Sequence, residues 1–260
     1  MLKVLKINNL ACTVKNRKIL DGINLEVQEN EILGITGGPC CGKSLMLNVL
    51  SGNYDKYTGE ILLNGRELRA TPSGELKQAA SLCSFTDRGY SPEATVFDTI
   101  ISSRRRRKSI FTPYTDTDRE DTARCIDQLR LTPYSNERLK NVSESVVRMS
   151  LIASSVMSEC RLLLLDSPET GSGYRQRSDI TAFIKKYAAY AEKTIIIASS
   201  DLNFLAACCD RIIVLENGKI AAEGNSEMID EKFMKRFFNI EVMISRNVVT
   251  SLPEIHVIES

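Results

Sequence analysis

The segment GGPCCGKS, from Gly37 to Ser44, carries the strongest chemical signal in the sequence. Gly37, Gly42, Lys43 and Ser44 fit the spacing G-x-x-x-x-G-K-[ST], in which glycines let backbone amides converge on phosphate oxygens. Lys43 would bridge terminal phosphates, the Ser44 hydroxyl would face Mg²⁺, and a following helix beginning with Leu45 would add the positive end of its dipole. The chemistry is anion capture. Between these positions Gly38 continues the cradle, but Pro39 brings no NH to it. Cys40 and Cys41 bring thiols whose oxidation would block the phosphate site, unless they act only as small space-filling residues. Far downstream, Asp166 ends the aliphatic run Leu162 to Leu165, where a carboxylate is placed to hold magnesium; a cap or turn role is the simpler alternative.

Such a loop needs a strand before it and a helix after it. Ile23, Leu25 and Val27 alternate as in a half-buried strand, and Glu31-Ile-Leu-Gly-Ile-Thr leads directly into the glycines, with LMLNVL following. Leu162 to Leu165 and Ile195 to Ile197 are unbroken aliphatic runs, as expected of parallel strands covered on both faces. A parallel α/β sheet is predicted. From about Asp87 to Glu159 the strand pattern gives way to helical stretches, one opening on the capping box Thr117 to Glu120 with Ala123, Ile126 and Leu129 on one face. This segment reads as a helical insertion. Asn217-Gly218 inside RIIVLENGKI predicts a tight hairpin turn. No internal repeat is evident.

The chain has 260 residues, 43% of them hydrophobic, with 34 Lys+Arg against 33 Asp+Glu. That balance suits a globular protein with a substantial core and gives no global field for nucleic acid. The dense basic run Arg104 to Lys108 contains no interleaved aromatic, so a solvated helix face or contact with anionic lipid or acidic protein loops is expected there, and no nucleic acid. No apolar stretch approaches the roughly 20 residues of a membrane span, and MLKVLKINNL reads as a strand, so a cytoplasmic location is expected. The single histidine, His256, excludes a histidine-cluster metal site. The eight cysteines follow no disulfide or zinc spacing and read as reduced thiols.

Taken together, LDGINLEV, GEILLNGREL, RLLLLDSPETGSG and TIIIASSDLNFLAACCDRIIVLENGKIAAEG resemble the nucleotide-binding subunits of ABC transporters over nearly the whole chain. YTDTDREDTARCIDQL and FFNIEVMI are most similar to the importer branch for iron-siderophores, haem or cobalamin. The resemblance implies a P-loop NTPase of ABC type: an α/β RecA-like core with an N-terminal antiparallel β-subdomain and an inserted α-helical subdomain. It implies one domain over 1–240, with the core at about 1–86 and 160–240, the helical part at about 87–159, and a short C-terminal extension at 241–260. Mg-ATP is the implied ligand. Permease subunits, a second ATP-binding subunit and, indirectly, a substrate-binding protein are the implied partners, with the chain peripheral on the inner face of the membrane.

Aligned on Gly37 to Ser44 and Asp166 without gaps, most other functional positions of the family are altered. The adenine-stacking aromatic falls at Val14, which keeps only apolar contact. The magnesium-sensing glutamine falls at Thr86. The signature that caps the opposite subunit's γ-phosphate falls on VSESV, where Ser143 survives, Glu144 puts a carboxylate near that phosphate, and Ser145 follows. The water-polarising acid becomes Ser167 and the γ-phosphate histidine becomes Ser200. Glu169 is the one conceivable substitute base.

Loss of a positioned base alone predicts hydrolysis at least ~100-fold below an intact relative. Pairing with an intact subunit rescues little, since each composite site would still draw on one altered half. The sequence thus predicts an ATP-binding ABC subunit of importer type with strongly impaired hydrolysis. An active ATPase that energises import and a non-hydrolysing structural or regulatory subunit are the alternatives. A guanine-nucleotide switch is disfavoured, because no N-K-x-D motif occurs.

Overall fold

Alternation of apolar and polar residues sets the first layer. The computed structural model describes residues 3–84, 90–105, 112–158, 160–248 and 250–258. Strands β1 (Lys3–Val14) and β2 (Arg17–Gln28) form an antiparallel hairpin, and Leu5, Ile7, Leu10, Ile23, Leu25 and Val27 bury the same face. Next, β3 (Ile32–Thr36) runs into the phosphate loop and α1 (Lys43–Leu50). Strands β4 (Tyr57–Leu63) and β5 (Arg66–Glu67) return to the first sheet, whose order is β2-β1-β4-β5. A short helix α2 (Ser73–Ala79) then leads into β6 (Ala80–Ser84).

The helical stretch follows as α3 (Val96–Ile101), α4 (Asp116–Gln128) and α5 (Glu144–Met157), with one isolated bridge, Thr95 to Arg138, as the only strand-like pairing among its described residues. The capping box of α4 is not at Thr117 to Glu120. It is formed by Thr115 and Asp118, whose side chains bond reciprocally to each other's backbone NH at 3.1 and 2.9 Å. Both quartets carry a Thr and an acid at the right spacing; the helix starts at the earlier one because that frame buries Asp118, Thr122, Cys125 and Ile126 together. Ala123 is correspondingly exposed, while Ile126 and Leu129 are buried as expected.

The chain re-enters the core with β7 (Leu162–Asp166), α6 (Tyr174–Tyr190), β8 (Thr194–Ala198), α7 (Leu202–Cys208) and the hairpin β9 (Arg211–Glu216) and β10 (Lys219–Gly224). Asn217 and Gly218 both take positive φ, 50° and 77°, in the predicted hairpin turn. Helix α8 (Glu231–Phe238) and a closing hairpin, β11 (Val242–Arg246) with β12 (Pro253–Val257), complete the chain. The segment after 240 is therefore a folded hairpin, tied to α7 through Asn203, which bonds both the NH and the carbonyl of Ile255.

The second sheet has the order β10-β9-β3-β8-β7-β6, with β10 antiparallel at the edge and the other five parallel. Its residues alternate between two cores. Leu33, Ile35, Leu162, Leu164, Ile196 and Ala198 face α1 and the first sheet, whereas Ile32, Leu163, Leu165, Ile195 and Ile197 face the layer containing α5, α6 and α7. This explains the unbroken aliphatic runs: each strand is covered on both sides. The architecture is thus an α/β cassette with an antiparallel β-subdomain and a helical insert.

Candidate nucleotide-binding site

The phosphate loop begins one residue beyond β3, with a geometry only glycine permits at its two anchor points. Gly37 has φ 142°, and a Cβ there would lie 2.2 Å from the Leu215 carbonyl oxygen. Gly42, at φ 105°, would collide with Leu20 at 2.8 Å. Cys40 also takes a positive φ, 57°, so this non-glycine residue adopts a left-handed conformation that costs it about 1–2 kcal/mol. The Lys43 ammonium folds back on the loop, donating to the carbonyls of Gly37 and Gly38 at 2.8 and 3.1 Å and lying 3.5 Å from the Cys41 sulfur. A bound anion would replace these carbonyls as partners. The amides of Lys43, Ser44 and Leu45 belong to the first turn of α1, where helical NH groups lack intrahelical acceptors.

Above the loop lies a cleft of about 670 Å³ lined by Val14, Lys15, Arg17, Ile19 and the residues from Cys40 to Leu45. Val14, Cys40, Cys41, Gly42, Lys43, Ser44 and Leu45 are therefore brought together around one cleft. Gly38 and Pro39 line an adjoining cleft of about 490 Å³, again with Cys40 and Cys41, and Gly37 is buried beneath. Sequence reasoning missed Lys15, Arg17 and Ile19. The β1–β2 turn delivers them: Lys15 and Asn16 take φ 47° and 62° without a glycine to announce a hairpin.

Strand register places the magnesium candidates. Ile35 and Asp166 both pair with Ala198, so they stand level on either side of β8, about 10 Å apart at ~4.8 Å per strand. Asp166 forms no ion pair among the described residues and accepts only from the Ser167 hydroxyl, at 3.4 Å. Ser44 is exposed, and only its carbonyl is engaged, by Asn48. One free carboxylate and one free hydroxyl suit Mg²⁺, which takes few protein ligands and completes its shell with phosphate oxygens and water. No cluster of three or more His, Cys, Asp or Glu occurs among the described residues, so the phosphates would have to supply the remaining ligands.

Around this edge the altered positions are polar and small. Ser167, at φ 52°, donates its NH to the Ala198 carbonyl, and the Ser199 NH bonds the Ile35 carbonyl, leaving Ser200 exposed beside it. Glu169 does not line the cleft. It is buried, its Oε1 accepts from the Ser199 hydroxyl at 2.5 Å, and burial pushes its carboxyl above the ordinary glutamate range. Thr86 lies outside the described residues.

Ser143, Glu144 and Ser145 begin α5 and line neither cleft of this chain. Glu144 is drawn along the helix by Arg148, whose guanidinium donates to it at 2.8 and 3.2 Å. Ser145 accepts from Gln176 of α6 at 3.1 Å.

The ABC transporter family profile matches residues 20–170, more than half of the chain. The chain is an ABC transporter ATP-binding domain. Among curated relatives this cassette is 24% identical to the branched-chain amino acid transport ATP-binding protein BraF of Pseudomonas aeruginosa, over 87% of this chain and 93% of that one. It is 25% identical to the petrobactin import ATP-binding protein FpuD of Bacillus anthracis, over 97% and 93%. With the spermidine/putrescine import protein PotA of Borreliella afzelii the identity is 28%, over 87% and 64%. Among solved structures it superposes on a nucleotide-free ATP-binding cassette with TM-score 0.74 at 19% identity, covering 92% of this chain and 96% of that one. A dimeric bacterial ABC cassette gives TM-score 0.75 at 20% identity, covering 85% and 98%. The relatives are named for branched-chain amino acids, petrobactin and spermidine/putrescine, so family membership carries the fold and ATP binding but no cargo.

Proposed function

We propose that this cassette binds Mg-ATP and hydrolyses it at least ~100-fold more slowly than an intact relative, because no base among the described residues is placed to activate water. The observation that carries the reading is at the end of β7. Asp166 is followed by a serine, and the buried acid in the same turn, Glu169, is bonded to Ser199 and lines neither cleft. Lys43 and the amides of α1 would hold the phosphates, Ser44 and Asp166 the magnesium, and Val14 with Ile19 the apolar side of the base. Magnesium, when bound, neutralises phosphate charge. Among the described residues nothing at this edge then orients or deprotonates the attacking water: the Ser167 hydroxyl donates to Asp166, whose carboxylate is assigned to magnesium, and Ser200 is an exposed hydroxyl.

On this reading the chain sits under permease subunits on the cytoplasmic face of a membrane, paired with a second ATP-binding subunit, and indirectly serves a substrate-binding protein. Petrobactin import proteins among the relatives support an importer of the siderophore, haem or cobalamin kind. Ser143 to Ser145 would face the partner subunit's nucleotide, with Arg148 tempering the charge of Glu144.

The test is titration calorimetry with Mg-ATP on the purified chain, phosphate release on the same sample, and Lys43→Ala as control. Binding that the substitution abolishes, without turnover, is the expected result. Turnover of order 1 s⁻¹, the ordinary enzyme range, would overturn the impaired-hydrolysis reading and restore the active importer.

A further inference from the structure

A closed ring of hydrogen bonds joins the turn after β7 to the turn after β8. The Ser199 hydroxyl donates to Glu169 Oε1 at 2.5 Å and accepts from the Asp201 NH at 2.9 Å. Arg177 Nη1 donates to the Asp201 carboxylate at 2.6 Å and Arg177 Nε to the Ser172 carbonyl at 3.1 Å. The Ser172 NH then returns to the Glu169 carbonyl, also at 3.1 Å. Glu169, Ser172 and Ser199 are buried, which strengthens bonds among them. Asp201 caps α7 through the Phe204 NH at 3.0 Å, so the ring is anchored to that helix as Arg177 anchors it to α6.

One member of the ring opposes folding. Glu169 Oε2 is buried without a hydrogen-bond partner, and such an atom carries the cost of its lost hydration. A buried polar group left in that state calls for a role other than stability. The position of the ring supplies one. The Ser199 NH bonds the Ile35 carbonyl at 3.0 Å, two residues before Gly37, and the Ser167 NH bonds the Ala198 carbonyl at 2.8 Å, beside Asp166. The turn from Ser199 to Asp201 thus lies between the start of the phosphate loop and the magnesium candidate. Ligands of parallel sheets sit beyond the carboxyl ends of the strands, so a terminal phosphate held by Lys43 and reaching toward Asp166 would meet this turn at the exposed Ser200.

We propose that Glu169 is a positioning residue: by holding Ser199 it fixes the turn at Ser200 for a terminal phosphate, and so favours nucleoside triphosphate over diphosphate. The proposal rests on the ATP-binding reading above. Glu169 lines neither cleft and acts only through Ser199. With the bond removed, a triphosphate has to order the turn as it binds, which costs affinity. A diphosphate ends short of the turn and is unaffected.

The experiment measures Mg-ATP and Mg-ADP affinities of the full chain by calorimetry, in the native protein, Glu169→Ala, Glu169→Gln and Ser199→Ala. Amide hydrogen exchange over residues 199–201 is followed on the same proteins without nucleotide. The native chain is expected to bind Mg-ATP more tightly than Mg-ADP. Glu169→Ala should weaken Mg-ATP about fivefold, the worth of one ordered hydrogen bond, while Mg-ADP stays within about twofold and exchange at Asp201 quickens. Glu169→Gln, which can still accept from Ser199, should keep the native ratio and the native exchange. Ser199→Ala removes the same bond from the other side and should match Glu169→Ala, which keeps the test open if either variant fails to fold. Equal losses for the two nucleotides mark a merely structural role and would overturn the proposal. So would a native chain without preference for Mg-ATP, or a Gln variant that behaves like Ala. If the native chain binds neither nucleotide, the ATP-binding reading fails and the triphosphate selectivity with it, while the exchange data still decide whether Glu169 holds the turn.

Discussion

Glu169 has 4% of its surface exposed, one oxygen bonded to Ser199 and the other, Oε2, without a hydrogen-bond partner. Burial disfavours its charged form and raises its pKa, with the Ser199 bond only partly opposing the shift. The native state therefore keeps this proton at pH values where the unfolded chain has released it. Because the native state then binds more protons, stability falls as pH rises from the ordinary glutamate range through the raised folded value. Below the unfolded pKa the contribution is fully present. Glu169→Gln removes this titration and keeps a group able to bond Ser199. Thermal unfolding followed from about pH 4 to pH 8 should show the two proteins converging at the acid end, with the Gln variant gaining as pH rises. Parallel curves would mean that the carboxylate ionises there at no cost. The same substitution should leave any residual phosphate release unchanged, since Glu169 is turned to Ser199; a fall would identify it as the missing base.

Among the elements, α4 separates what pattern predicts from what packing decides. Thr115/Asp118 and Thr117/Glu120 are equivalent by residue type and spacing, and only the burial of Asp118 and Thr122 against the helical layer selects the first. Thr115→Ala should cost about 1 kcal/mol, the usual loss for a capping hydroxyl, and Thr117→Ala less than about 0.5 kcal/mol. Urea unfolding of both variants checks this, and equal losses would return the cap to Thr117. The same distinction governs how much of the molecule was legible beforehand. The phosphate loop, β7, β8 and the Asn217-Gly218 hairpin were readable because local chemistry alone dictates them: two positive-φ glycines, strands buried on both faces, and a turn dipeptide. Lys15, Arg17 and Ile19 were not, because they reach the cleft through a glycine-free turn and through pairing of β1 with β2. The β11–β12 hairpin was equally silent, since Val242 is its only buried residue besides Pro253, and its anchor, Asn203 to Ile255, joins positions far apart in the chain.

At the level of the whole molecule the cleft straddles two sheets. Val14, Lys15, Arg17 and Ile19 belong to the antiparallel sheet and its turn, while Gly37 to Leu45 extend the parallel one. The two already share one buried core, and Arg211 of β9 ties them further by bonding the Glu26 carbonyl of β2 together with Glu31 and Glu223. Unfolding should therefore be a single transition, and a ligand held between the sheets should stabilise all of it. A ligand at a hundred times its Kd adds about 2.7 kcal/mol to the native state. For a chain of this size that corresponds to a rise in Tm of about 5 °C. Mg-ATP is expected to give this shift in the native protein and none in Lys43→Ala, each read against its own nucleotide-free Tm so that any loss of the Lys43 contacts to Gly37 and Gly38 cancels. Hydrolysis would erode the shift as nucleotide is consumed, so a Tm that stays raised after long incubation with modest Mg-ATP is expected only of a cassette that binds without turnover. A shift that decays with time, or one that survives Lys43→Ala, would contradict the placement of phosphate on this loop or the loss of its base.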